Sequence, residues 1–293
     1  MSKEILPKKR PKVGVVIGSG GIKAFGAVEL FDFLALHQIP IDLIVGCSGG
    51  ACMAALKGLG FTTEEMKNYI LSGVSPVSIQ NLDFGMFGAI FHVPGCSFKK
   101  HKSLFKPDPI INRYCETAKG KKIEDLCPRI IIQATDIETG EEVRLTSGSL
   151  AEAVYASGAL IPFLPPMEID GRTLIDGAFT NSVPITTAIA EKMDLIIVME
   201  FQEKKKEVSG LLEGMENLLS KSVERHKRLQ MLLVMEKPFY EIIYIRVIYT
   251  EALPFWDVDT IPFIFEKTRS CVNQKQDEII DAYDNFFMRH QHV

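Results

Sequence analysis

The chain has 293 residues, 46% hydrophobic and 24% charged, which is ample material for a buried core in one large domain or two small ones. A net charge of -4 excludes the basic excess that a general nucleic-acid binder carries. The six cysteines (Cys47, Cys52, Cys96, Cys115, Cys127 and Cys271) form no CxxC pair and no Cys/His cluster of zinc spacing, so reduced thiols and no metal are expected.

The first twelve residues, MSKEILPKKRPK, lack the apolar stretch of a secretory signal. They read as a basic arm in which Lys8, Lys9, Arg10 and Lys12 form a solvated tail, with contact to anionic lipid as the alternative. No charge-free apolar run is long enough to span a bilayer. A cytoplasmic location follows as the expectation, with peripheral membrane contact and export without a signal left open.

From Val13 onward strand and helix signals alternate. Val13–Ile17 is a short apolar strand that ends in Gly18-Ser-Gly20-Gly21. Ala27, Leu30, Phe31 and Leu34 then mark one helical face. Asp42–Val45 is a second strand, ending at Gly46-Cys-Ser48-Gly-Gly50, and a small-residue helix with Ala51, Ala54 and Ala55 follows. This is a βαβ unit, so the two strands should be parallel. Further strands are expected at Ile130–Ala134, Glu142–Thr146, Thr173–Ile175, Leu195–Glu200 and Ile242–Tyr249. Helices are expected at Thr63–Leu71, Leu150–Ser157, Val183–Glu191, Leu211–Met235 and Lys267–Met288. The pattern is α/β with helices on both faces of a sheet.

Residues 13–200 carry this alternation and read as one domain, with 201–293 as a helical extension packed on it. Within the first, 72–106 lacks periodicity and is rich in Gly, Phe and Pro, which suggests a cap. Phe84, Met86, Phe87, Ile90, Phe91, Val93 and Phe98 lie close together in it and would line an apolar channel or dip into a membrane surface, or else pack as ordinary core. Leu253-Pro-Phe-Trp-Asp257, with Phe263 and Phe265, reads as core.

Gly46-Cys-Ser48-Gly-Gly50 is a G-x-S-x-G at a strand–helix junction. Small flanking residues let the chain turn sharply and lift the Ser48 hydroxyl above the carboxyl end of the sheet, at the positive end of a helix. The glycine-rich Gly18-Ser-Gly20-Gly21-Ile22-Lys23 presents unpaired amides to an anion, which in acyl transfer is the tetrahedral oxyanion. A dinucleotide loop is the rival, weakened by Lys23 at its third glycine position.

Serine needs a base. His37, His92, His101, His226, His290 and His292 are available, but none follows a core strand. Asp176, in Leu174-Ile-Asp176-Gly177-Ala178, does, and a dry cleft would raise its pKa. Taken by itself it reads as an Asp-Gly turn with no chemistry.

The ordered set resembles the patatin-like phospholipase family, in particular compact bacterial members related to neuropathy target esterase. It comprises Gly18–Lys23, Gly46–Gly50, Ala134-Thr-Asp-Ile-Glu-Thr-Gly140, Ala156-Ser-Gly-Ala-Leu-Ile-Pro162, Pro165-Pro166 and Asp176-Gly177-Ala178 through Asn181 and Pro184. The resemblance implies a three-layer α/β/α fold with a mainly parallel sheet. It also implies a Ser48–Asp176 dyad, an oxyanion hole at Gly20, Gly21 and Ile22, no cofactor, and a phospholipid or lysophospholipid ester as substrate. Gly18, Lys23, Gly46, Gly50, Gly177 and Ala178 would support the motifs. The family loop usually reads G-G-x-R-G, and here Lys23 and Ala24 stand in for the last two positions; Ala27 replaces a histidine common in relatives. A non-catalytic lipid-binding module and an α/β-hydrolase esterase with a histidine base are the alternatives.

Overall fold

A computed structural model describes residues 10–73, 103, 107–161, 163–203, 240–250 and 258–289. The expected helix Leu211–Met235, residues 74–102 of the expected cap and the Leu253–Asp257 patch lie outside the described residues.

The described residues form a mixed sheet flanked by helices. Its strands are β1 (Val13–Ile17), β2 (Leu43–Cys47), β3 (Arg129–Asp136), β4 (Glu142–Leu145), β5 (Met167–Ile169), β6 (Arg172–Asp176), β7 (Leu195–Glu203) and β8 (Glu241–Tyr249). The order across the sheet is β5-β6-β3-β2-β1-β7-β8, with β4 on β3. The run β3-β2-β1-β7-β8 is parallel, whereas β4, β5 and β6 pair antiparallel. β1 and β2 are buried at every position, as expected of central parallel strands covered on both faces. β8 alternates buried and exposed positions along much of its length, as an edge strand does.

Helices α1 (Ala27–Leu36), α2 (Gly49–Gly58), α3 (Thr63–Gly73), α4 (Asp108–Ala118), α5 (Leu150–Ser157), α6 (Ala178–Asn181), α7 (Ile185–Ala190), α8 (Ile261–Asn273) and α9 (Gln276–Arg289) connect or follow the strands. The pleat of β1 sends Val15 and Ile17 into a large apolar cluster with Phe31 and Leu34 of α1. It sends Val16 into a smaller cluster on the other face, with Ile185 and Ala188 of α7. That division makes the three layers α/β/α. Ala27, Leu30, Phe31 and Leu34, the expected helical face, are all buried.

Several elements differ from expectation. The helix expected at Val183 starts at Ile185 because Pro184 disfavours helical backbone in the residue before it. The expected single helix Lys267–Met288 is two. α8 begins earlier, at Ile261, and its buried Ile264 and Thr268 face α1 and the glycine-rich turn, while α9 packs on β7 and β8. One straight helix could not serve both surfaces. Phe265 is buried, but Phe263 is 44% exposed, with its ring set edgewise to Tyr249. Arg10, expected in a solvated tail, is clamped to Asp42 through two hydrogen bonds of 2.7 and 2.8 Å.

Helix α8 also backs the glycine-rich turn. Gly26 lies so close to Thr268 that a Cβ there would fall 2.2 Å from the threonine Oγ1. Nearby, the buried carboxylate of Glu29 on α1 bonds Arg269 of α8 at 2.7 Å and pairs with Lys67 of α3 at 2.8 Å. Three helices are therefore joined at one charge.

Candidate active site

β3 is the template on which the site is assembled. β2 runs along one edge of β3 and ends with Cys47 opposite Gln133. β6 runs the opposite way and ends with Asp176 opposite Ala134. β4 overlaps both registers, so it holds the other edge, and β2 and β6 share one. Their ends therefore meet head to head. Ser48 Oγ donates a hydrogen bond of 2.7 Å to Asp176 Oδ2.

Ser48 sits at φ 55° and ψ −121°, a left-handed conformation that costs a non-glycine residue about 1–3 kcal/mol. The sharp turn is crowded by backbone. A Cβ at Gly46 would lie 2.5 Å from the Gly50 carbonyl oxygen, and one at Gly50 would lie 2.3 Å from that of Ile17. Small residues are thus required where the sequence places them.

The Ser48 amide donates to the hydroxyl of Ser157 at 2.9 Å, and that hydroxyl donates to the Gln133 carbonyl at 2.6 Å. Ser157 was not among the expected site residues. Its only sequence signal is its place in the Ala156-Ser-Gly-Ala tract.

Asp176 is buried, with 3% exposure. Its Oδ1 accepts the Ala178 amide at 2.8 Å, and Gly177 presses on the Gln133 carbonyl so closely that a Cβ there would fall 2.4 Å from its oxygen. Burial raises the Asp176 pKa to about 6, against the opposing pull of the hydrogen bonds from Ala178 and Ser48. Cys47 is adjacent but is no rival nucleophile. Burial, reinforced by the charges of Asp176 and Glu142, pushes its thiol well above the ordinary value.

The raised carboxyl pKa makes a stability statement. The folded state holds the Asp176 proton more tightly than the unfolded chain, so this residue's contribution is fully present at low pH. It is lost as pH rises through about 6. Asp176→Asn is therefore expected to be more stable than wild type at pH 8, by up to about 3 kcal/mol. The advantage should vanish near pH 4, and thermal melts at the two pH values check it.

The glycine-rich segment lies against this turn. A Cβ on Gly49 would fall 2.2 Å from the Gly21 carbonyl oxygen and 3.1 Å from the Ala24 Cβ. Gly18 and Ser19 amides are committed to Met199 and Ser182 carbonyls, and the Lys23 amide to the Gly20 carbonyl. The amides of Gly20, Gly21 and Ile22 have no acceptor among the described residues. Gly21 has φ 54°, which favours glycine, whereas Ala24 is buried in the 3₁₀ turn Gly21–Gly26 without positive φ.

Of the six histidines only His37 is described. It ends α1, at the opposite end of the sheet from Ser48, with its ring on Phe33. His92, His101, His226, His290 and His292 lie outside the described residues, as do Phe84, Met86, Phe87, Ile90, Phe91, Val93 and Phe98. Among the described residues no group of three His, Cys, Asp or Glu could hold a metal ion.

A sequence model of the patatin-like phospholipase family matches residues 15–189, and the chain belongs to that family. It is 24% identical over 189 residues to an uncharacterized NTE family protein of Mycobacterium tuberculosis, a match covering 64% of this chain and 49% of that one. It is 27% identical over 191 residues to patatin-like phospholipase domain-containing protein 7 of Mus musculus, covering 64% of this chain and 13% of that one. The matches thus span about half the length of the mycobacterial relative and a small part of the mouse one. Among solved structures it is similar to VipD from Legionella pneumophila, at 11% identity and a TM-score of 0.47, covering 92% of this chain and 67% of that one.

Proposed function

We propose that the protein is a serine lipid acyl hydrolase, a phospholipase A or lysophospholipase-type esterase, with Ser48 as nucleophile and Asp176 as base. The observation that carries this reading is the 2.7 Å hydrogen bond from the Ser48 hydroxyl to a buried carboxylate. Membership of the patatin-like phospholipase family supports it.

Asp176 Oδ2 takes the Ser48 proton as Oγ attacks the acyl carbonyl carbon. The carbonyl π pair moves onto oxygen, where the amides of Gly20, Gly21 and Ile22 receive it. Collapse breaks the C–O ester bond. The departing alcohol or lysophospholipid takes the proton from Asp176, leaving an acyl-Ser48 ester. Water then gives its proton to Asp176 and attacks that ester. The fatty acid leaves as the proton returns to Ser48 Oγ. A carboxylate of pKa about 6 is a far better base than an exposed one, yet much weaker than an alkoxide. The amides of Gly20, Gly21 and Ile22 and the dry setting of Asp176 supply the rest of the barrier reduction.

Residues 13–200 form the catalytic unit on this reading, and the carboxyl-terminal segment supports its glycine-rich turn. No helix among the described residues is long and apolar enough to cross a membrane. The reading places the enzyme at a membrane surface, taking lipid from there.

The test is fatty-acid release by the full chain from phosphatidylcholine vesicles and from lysophosphatidylcholine. Release is expected from wild type and none above background from Ser48→Ala. Equal release by both proteins removes Ser48 from the mechanism. No release, with no fluorophosphonate adduct on folded wild type, leaves a lipid-binding module instead.

A further inference from the structure

We propose that Ser157 is a positioning residue that holds the nucleophile against its base, an inference that rests on reading Ser48 and Asp176 as catalytic. The side chain is wholly buried at the last position of α5. A serine near a helix end commonly bonds a carbonyl of its own helix. This one instead reaches two distant segments, 109 and 24 residues away in sequence. Its oxygen accepts the Ser48 amide at 2.9 Å, and its proton goes to the Gln133 carbonyl at 2.6 Å. Its one donor and one of its two acceptor lone pairs both serve the site.

The partners explain why the hydroxyl matters. Gln133 is the β3 residue opposite Cys47, at the point where β2 gives way to β6. Fastening the Ser48 amide to that point fixes the nucleophile's backbone in its left-handed conformation. The same turn also reaches the base. The Ser157 carbonyl accepts the Gly177 amide at 3.4 Å, and the Ala159 carbonyl accepts the Asp176 amide at 3.1 Å. The Ser157–Ala159 turn therefore grips both members of the pair, and the Ser157 hydroxyl is its one side-chain hydrogen bond to Ser48.

Without the hydroxyl, the Ser48 amide and the Gln133 carbonyl lose their shared partner, and the strained turn can relax. A displacement of about 1 Å at a reacting atom lowers a rate by about 100-fold. Ser157 touches no reacting atom, so substrate binding is untouched. The pH response should change as well. The hydrogen bond from Ser48 holds the Asp176 carboxyl lower than burial alone would. Loosening that bond moves the acid limb of the rate profile to higher pH.

The experiment measures fluorophosphonate labelling and ester hydrolysis by the full chain as wild type, Ser48→Ala, Ser157→Ala and Ser157→Thr, across pH 4–9, with a thermal melt of each. Ser157→Ala is expected to fold, to lose about 100-fold in kcat at unchanged KM, and to shift its acid limb upward. Ser157→Thr, which restores the hydroxyl, should recover most of the rate. Wild type labelled on Ser48, with Ser157→Ala equally fast and its acid limb unmoved, overturns the role of Ser157 and leaves the dyad standing. A Ser157→Thr chain as stable as wild type but as slow as Ser157→Ala overturns it too. Folded wild type that takes no label overturns the dyad reading and this inference with it.

Discussion

On the proposed reading, Asp176→Asn is expected to lower serine labelling and lipid hydrolysis by about 10⁴-fold while leaving the fold intact, by analogy with removing the acid's charge in a Ser-His-Asp hydrolase. The asparagine oxygen can still accept the Ala178 amide, as Oδ1 does in wild type at 2.8 Å. The atom facing Ser48 Oγ would then be an amide nitrogen, whose lone pair is delocalised into the carbonyl and cannot take the hydroxyl proton. Attack on an acyl carbon becomes the attack of a neutral alcohol. The same substitution is expected to raise stability at pH 8, so a dead enzyme that melts later than wild type is the combined signature. Wild-type activity should fall as pH drops through about 6, because protonation of Asp176 removes the base. Full activity in Asp176→Asn, or a wild-type profile with no acid limb near that value, would reassign the base.

The second large effect concerns the contact between the glycine-rich turn and the nucleophile. Gly49→Ala puts a methyl group 2.2 Å from the Gly21 carbonyl oxygen and 3.0 Å from its carbon. Those atoms are backbone, so the collision cannot be relieved by a side-chain rotation. The turn bearing the Gly20, Gly21 and Ile22 amides must move away from Ser48. Losing one oxyanion donor costs about 100- to 1000-fold in rate, and displacement of this turn is expected to cost at least that in kcat. The bond from Ser48 to Asp176 lies on the other side of the elbow and should survive. The acid limb of the pH profile should therefore stay near its wild-type position while kcat falls. Wild-type kcat in a folded Gly49→Ala protein would remove this turn from oxyanion stabilisation.

These two expectations differ in how far the sequence could carry them. The crowding around Gly46 and Gly50 was legible, because a strand running straight into a helix through G-x-S-x-G can turn only if its flanks are small. The glycine-rich turn was legible for a related reason. A run of glycines after a buried strand leaves amides without partners, and among the described residues the amides of Gly20, Gly21 and Ile22 have no acceptor. A base role for Asp176 was not legible from the residue alone, since Asp-Gly also makes ordinary turns, and only the resemblance to a family pointed to it. Ser157 stayed hidden as a site residue because its Ala156-Ser-Gly-Ala tract marks a resemblance and does not say what the hydroxyl touches.

Residue type and spacing therefore determined seven of the eight described strands, most of the helices, the strained elbow and the glycine-rich turn, all of which follow from backbone preferences over a few neighbouring positions. The tertiary structure alone decided four things: the head-to-head meeting of β2 and β6 on one edge of β3, the short β5, the break between α8 and α9, and the Ser157 bridge. Each depends on contacts between segments far apart in the chain. The Asp176 pKa belongs with them, because desolvation exists only once the surrounding layers have closed over the carboxylate.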